Sequence, residues 1–396
     1  LKKHKKRIII IAVLLLSAII LYNKANRKII TIDSVKQISL TKNHIAMLFN
    51  NGSVWVFGSN EFGQLSLDNG IIKHGISIVP TKRRAKEVSA GGDHTLALLE
   101  DGTIAAWGYD KDHVLGVNDT ANATLPVTTP DINGVEHVSA GFRHSAALMQ
   151  DGTVCVWGAN NYGQLGLGNT NTQSIPKVID GLNNVKQVCA GLWHTVALMQ
   201  DGTVMIWGDN SHGQLGIGNS TNYLRPVKVP GPNNIIQVDA GWYHTIALND
   251  DGAIFVWGDN SSGQLGIGSK KQTTVFSPVH MGKFSNAKEV RCGAKHTIIL
   301  TDDGKVMACG DDSYGQLGIV DRGIQYDPVK IEALENISAI DAGEAYSVAL
   351  LDDGTVKGWG TLKNVIADSF FKRYNTDLPA QLWYRDGELM HGKKSN

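Results

Sequence analysis

Cysteine is scarce, with four residues in 396, and no two stand as C-x-x-C. That excludes a disulfide framework and the paired thiolates of a zinc ribbon. Cys155, Cys189, Cys292 and Cys309 are expected to be small buried hydrophobes. Beyond the first thirty residues no sustained 3.6-residue apolar period occurs, which excludes helical solenoids. Glycine-rich segments recur, but none carries the Lys-Ser/Thr pair or the following helix of a phosphate loop. The acidic stretches Asp209-Asn210-Ser211 and Asp259-Asn260-Ser261 lack the glycine spacing and bidentate glutamate of an EF-hand loop. No metal and no cofactor is therefore expected.

An excess of one charge is missing from the whole chain, since Lys+Arg and Asp+Glu both number 37. The balance is uneven along it. Residues 1–28 hold eight bases and no acid, so the rest carries 29 bases against 37 acids, a formal charge of −8. That is the wrong sign for gripping phosphates, and no nucleic acid partner is expected. The only long hydrophobic run is Ile8 to Tyr22, preceded by Lys2-Lys3-His4-Lys5-Lys6-Arg7. It reads as an export signal, with residues 1–7 a cytoplasmic stub, 8–22 a signal-anchor or signal-peptide helix and 23–34 a linker. No small-x-small cleavage site follows, Asn23 and Ala25 being the nearest candidates, so the uncleaved anchor is favoured over secretion after cleavage. The denser positive cluster precedes the run, which leaves the rest of the chain outside the cytoplasm.

What is abundant is repetition. A histidine recurs as His44, His94, His144, His194, His244 and His296, and Tyr346 stands in the seventh place. In step with it run Asn51-Gly52 and the Asp-Gly pairs that end in Gly102, Gly152, Gly202, Gly252, Gly304 and Gly354. Seven units thus start near residues 35, 85, 135, 185, 235, 287 and 337, and this period signifies a propeller or solenoid. In the fourth unit Val185 to Val188 reads as one strand, His194 to Met199 as the next and Thr203 to Trp207 as its antiparallel return. Asp201-Gly202 is expected to be a two-residue hairpin loop with positive φ at both positions. That register sets Met199 opposite Val204, Leu198 opposite Met205 and Val196 opposite Trp207, with apolar pairs on both sides of the sheet. Such a sheet must be covered twice, and stacked neighbours closing into a ring provide the cover. A fourth strand near Pro226-Val227-Lys228-Val229 completes a blade. The expected fold is all-β: a seven-bladed propeller of four-stranded antiparallel blades over residues 35–383, with the N-terminal helix before it and a tail at 384–396. Because the first unit has no proline-led strand before it and the chain ends with one, at Leu378 to Trp383, this last strand is expected to join the N-terminal sheet and latch the ring.

The pattern A-G-x-x-H-[ST]-x-A-L-x-x-D-G-x-[VI]-x-x-W-G-x-N-x-x-G-Q-L-G closely resembles the repeat of the regulator of chromosome condensation family, a seven-bladed propeller, over essentially all of residues 35–383. The resemblance implies binding through faces and loops. The family's best-known member is a guanine nucleotide exchange factor for a nuclear GTPase that docks on nucleosomes. Other members are bacterial and secreted, including an inhibitor that caps β-lactamases with one face. An exported acidic propeller fits the second group better, and the chain is expected to be a bacterial exported member.

The repeated histidines stand one blade spacing apart, too far to share a zinc ion. They are expected to hold the turn after Ala-Gly by a hydrogen bond inside each blade. Function is expected where the copies differ. The two residues before each histidine vary freely, and the turn that carries them emerges at the same end of the ring as the loop after Trp-Gly. One face thereby gathers Phe142, Arg143, Trp193, Trp242, Tyr243 and Lys295, with Tyr162, His212 and Tyr314 from the longer loops. Aromatic rings with an arginine are the composition of an interaction hot spot. The expected protein is a monomer without catalytic residues, membrane-anchored and extracytoplasmic, which binds a protein or cell-envelope partner through this face. An inhibitor or modulator of a β-lactamase-like or penicillin-binding enzyme is a narrower form of that reading. Nucleotide exchange would require a cytosolic location, and a cell-wall or carbohydrate-acting enzyme would need convergent carboxylates that the repeats do not place.

Overall fold

The computed structural model describes residues 35–67, 74–282, 284–320, 323–332, 334–360, 380–385 and 388–391. The run at 8–22, and with it the expected anchor, lies outside these residues. Among the described residues no helix is long and apolar enough to cross a membrane.

From Val35 onward the repeats form seven separate antiparallel sheets, six of four strands and one of five. Blade 4 shows the plan, with strands Val185–Ala190, His194–Met199, Val204–Gly208 and Tyr223–Lys228 paired in chain order. The observed register sets Thr195 opposite Trp207, Ala197 opposite Met205 and Leu198 opposite Val204, one residue from the expected pairing. The hairpin is the cause. Its loop has three residues: the Gly202 N–H reaches the Met199 carbonyl at 3.0 Å and the Met199 N–H reaches Thr203 at 2.8 Å. Only Gly202 takes positive φ (79°), while the Asp201 carboxylate accepts the Thr203 N–H at 2.9 Å. A tight turn followed by a left-handed glycine is the next commonest hairpin solution, and it shifts the pairing by one.

The first strand of every blade lines a central channel of about 540 Å³. Between the blades lie the apolar cores. Leu148, Val154, Val156 and Leu165 of blade 3 meet Val185, Val188, Ala197 and Trp207 of blade 4. The same layer closes the ring, where Ile45, Met47 and Phe57 of blade 1 pack with Tyr346, Val348 and Val356 of blade 7.

The expected C-terminal latch is not what closes it. Strand Ala380–Arg385 pairs with Val356–Gly360 of its own blade, and Glu388–His391, within the expected tail, adds a fifth strand. Blade 1 likewise builds its sheet from its own four strands, ending at His74–Ile78. The ends meet through side chains instead: Asp341 Oδ2 accepts the Leu40 N–H at 2.7 Å, and the Tyr346 hydroxyl donates to the Thr41 carbonyl at 2.6 Å.

Candidate partner-binding face

The histidines form the floor beneath the variable turns. They do not hold their own turns, which the backbone closes, as Gly191 N–H to His194 O at 2.9 Å shows. Each ring crosses to the next blade. His144 Nε2 lies 2.8 Å from Thr195 Oγ1, and His44, His94, His194, His244 and His296 make the same contact with Thr95, Ser145, Thr245, Thr297 and Ser347. Thr195 Oγ1 in turn donates to the Gln164 carbonyl at 2.8 Å, which also accepts Trp207 Nε1–H at 2.9 Å. A hydroxyl that donates there must accept from the ring, so Nε2 carries the imidazole proton.

This relay gives the Gly-Gln-Leu-Gly turn its role: the Gln carbonyl of one blade anchors the Thr and Trp of the next. The glycine before the turn is equally constrained. A Cβ on Gly191 would stand 2.6 Å from the His194 ring and 2.8 Å from the Gly241 carbonyl. Complete burial holds five of the rings at a pKa of about 3 and His244 at about 4. They are therefore neutral near pH 7.

The junction of blade 7 with blade 1 shows why Tyr346 replaces the histidine. Blade 1 carries Ile45 where the others have Thr or Ser, so no hydroxyl awaits the ring, and Tyr346 brings its own to the Thr41 carbonyl. Phe57 in the Trp slot needs no acceptor either, which matches the missing Gly-Gln-Leu-Gly element in the seventh unit.

Above this floor the variable side chains assemble as follows. Phe142 meets Trp193 at 5.8 Å and Trp242 at 6.4 Å between centroids, both edge-on, and Tyr162 meets Trp193 at 5.4 Å. Tyr243 packs on His212 at 4.3 Å. Phe142, Trp193, Trp242, Tyr243 and His212 are half-buried, and Tyr162 is exposed. Trp242 and Phe142 also stand at the mouth of the channel with Leu192 and Glu344.

Arg143 lies over the Tyr109 ring at 4.1 Å and faces Asp93 and Asp112, each at 3.6 Å, so it knits the face together. Lys295 and Tyr314, on blade 6, are exposed and outside this network of ring contacts. Sequence reasoning missed two members. Tyr109 underlies Arg143, and Phe62 meets Tyr109 edge-on at 5.3 Å, which extends the band to blade 1. Phe62 occupies the same slot as Tyr162, His212 and Tyr314, so aligning the repeats was the available signal.

The channel holds the remaining charge cluster. Arg291 pairs with Glu289 at 2.8 Å, and Asp239 Oδ2 accepts the Cys292 N–H at 2.7 Å. With Asp341 on Leu40, the carboxylates of this wall are committed to an ion pair or to inter-blade hydrogen bonds. Burial, partly offset by Arg291, pushes Asp341 up to about 7. Cys155, Cys292 and Cys309 are buried as expected, whereas Cys189 is half-buried on the channel wall in a serine's place, its thiol donating to the Val238 carbonyl at 3.3 Å. Among the described residues no group of three or more His, Cys, Asp or Glu is placed to hold a metal ion.

Comparison with known proteins agrees with this architecture. A family model described as the RCC1-like domain matches residues 22–282 and 184–369. The X-linked retinitis pigmentosa GTPase regulator homolog of Caenorhabditis elegans is 45% identical over 40 residues, 10% of this chain and 3% of that protein. The structure of Prp20p from Saccharomyces cerevisiae, reported with its binding properties to Gsp1p and histones, superimposes with a TM-score of 0.70 at 20% identity, over 81% of this chain and 84% of that one. Human WBSCR16 gives a TM-score of 0.73 at 24% identity, over 81% and 88% of the two chains. With seven blades, a repeat motif whose His, Thr or Ser, Trp and Gln residues form the blade-to-blade relay, and a family match along most of its length, the chain belongs to the RCC1-like domain family.

Proposed function

We propose that this propeller is a non-catalytic binding protein that engages a protein partner through the face bearing Phe142, Arg143, Trp193, Trp242 and Tyr243. One observation carries the reading: at the turns of blades 3 to 5, where otherwise matching repeats differ, the side chains gather into an aromatic band, half-open to solvent, above the buried histidine relay. Rings held in place lose little entropy on binding and supply large contact areas, which is how interface hot spots work. Protein partners are also what the similar structures are reported with, Gsp1p and histones for Prp20p and Kap60 for yeast RCC1. The basic, then hydrophobic, N-terminal run supports an anchored protein with the propeller outside the cytoplasm.

The test is affinity capture from intact cells with the full chain and with a variant combining Trp193→Ala, Trp242→Ala and Tyr243→Ala. Mass spectrometry identifies what is held, a β-lactamase-like enzyme and a GTPase included. Partners are expected to be lost from the variant while its far-UV spectrum stays that of the parent. Full retention of the same partners would show that this face is not the binding surface.

A further inference from the structure

We propose that the loop following Gly108 in blade 2 binds a calcium-class cation between the carboxylates of Asp110 and Asp119 and neighbouring main-chain carbonyl oxygens. The equivalent loops of the same ring show how this slot is filled elsewhere. Asn160, Asn210 and Asn260 each accept a leucine N–H five residues on through Oδ1, at 2.9–3.1 Å. Each donates through Nδ2 to the carbonyl nine residues on, at Asn169, Asn219 and Ser269, with distances of 2.9, 2.7 and 3.1 Å. Asn160 and Asn260 reach a second carbonyl, at Asn171 and Gln272.

Asp110 stands in this slot in blade 2. Its Oδ1 accepts the Leu115 N–H at 2.8 Å, and its own N–H bonds Asn122 Oδ1 at 3.0 Å, as Asn210 does with Asn222. The carboxylate is thus set like the amides, and Oδ2 takes the place of Nδ2. An oxygen now sits where a donor faced carbonyl oxygens. It is fully buried and has no hydrogen-bond partner.

A buried unpartnered carboxylate oxygen among acceptors requires a positive charge. The residue nine positions on is Asp119, where blades 3 and 4 have Asn169 and Asn219, so a second formal charge enters the same loop. Asp112 is engaged by Arg143. Asp119, at the exposed rim, accepts the Thr120 and Ala121 N–H groups through Oδ1 at 2.6 and 3.2 Å, which leaves Oδ2 for a cation. The donors are all oxygen, which selects a hard cation. Two carboxylates plus carbonyls and water make a site of the millimolar class found in extracellular modules.

The experiment is calorimetric titration of calcium chloride into the full chain at pH 8, with the thermal midpoint followed in parallel. One ion per chain is expected, with a midpoint rise of about 2 °C at ten times the dissociation constant and weaker binding of magnesium. Asp110→Asn should abolish binding and yet melt above the calcium-free parent, because the amide restores the donor. Asp119→Asn, which reproduces the loops of blades 3 and 4, should fold normally and weaken calcium by about tenfold or more. Calcium binding that survives Asp110→Asn would place the ion elsewhere and overturn the proposal. So would the absence of any calcium effect at pH 8 together with a stabilised Asp110→Asn, since the slot would then be satisfied by a proton alone.

Discussion

Acidification should open the ring, and the histidine relay sets how steeply. Six imidazoles are sealed between blades with their pKa values driven down by burial to about 3, or about 4 for His244. In the unfolded chain they return to about 6.5. Unfolding therefore takes up protons wherever the pH lies between these values, so stability falls as the pH drops from about 6.5 toward 3. At pH 5.5 each histidine favours the unfolded state by about 1.4 kcal/mol, and six together by about 8 kcal/mol. Asp341 and Asp110 oppose this: with their pKa values raised to about 7 they hold protons that the unfolded chain releases, and so each returns about 2 kcal/mol over the same interval. The net loss from pH 8 to 5.5, about 4 kcal/mol, is a large share of the whole stability of many proteins.

Urea unfolding at pH 8, 6.5 and 5.5 measures this directly. Trp107, Trp157, Trp207, Trp257 and Trp359 are fully buried and report loss of the inter-blade cores by fluorescence. His194→Gln, which keeps a donor toward Thr245, should reduce the pH slope by one proton. A stability that is flat between pH 8 and 5.5, or a slope unchanged in His194→Gln, would refute the assignment of these rings as neutral structural donors.

Thr195 tests the relay from its centre. Thr195→Val leaves the His144 Nε2–H buried without an acceptor and should cost about 2–4 kcal/mol in urea melts, while Thr195→Ser, the residue used at Ser145 and Ser347, should cost less than about 1 kcal/mol. Gly191→Ala should destabilise by about 1–3 kcal/mol or prevent folding, because the added methyl meets the His194 ring and the Gly241 carbonyl. Alanine at Gly323, where an added Cβ has nothing within 4 Å and φ, as at Gly191, is not positive, is the control for the loss of a glycine alone.

The spacing of His194 and Asp201-Gly202 made the number of blades and the end at which each loop emerges readable from sequence, since strand alternation fixes both. The partners of the histidines were not readable, because the Thr195 hydroxyl that receives His144 lies about fifty residues away and is brought near only by blade stacking. The hairpin type was missed because Asp-Gly serves two loop lengths, and only the Asp201 side chain capping Thr203 separates them. The closure of the ring was misjudged from a missing proline-led strand. The sequence did hold its signature, in the joint departure of Ile45, Phe57 and Tyr346 from the repeat. The aromatic face was half legible: the turn positions of Phe142, Trp193 and Trp242 follow from alignment, but the role of Arg143 as a clamp over Tyr109 depends on Asp93 and Asp112 from blade 2.

Site-specific photo-crosslinking in intact cells tests the central claim most directly. A photoreactive side chain is placed at Trp193 or Trp242 in one set and at Asp151 or Asp201, on the hairpin face, in the other. A discrete crosslinked partner is expected from the first set and none from the second. Crosslinks from Asp151 or Asp201 with silence at Trp193 and Trp242 would contradict it.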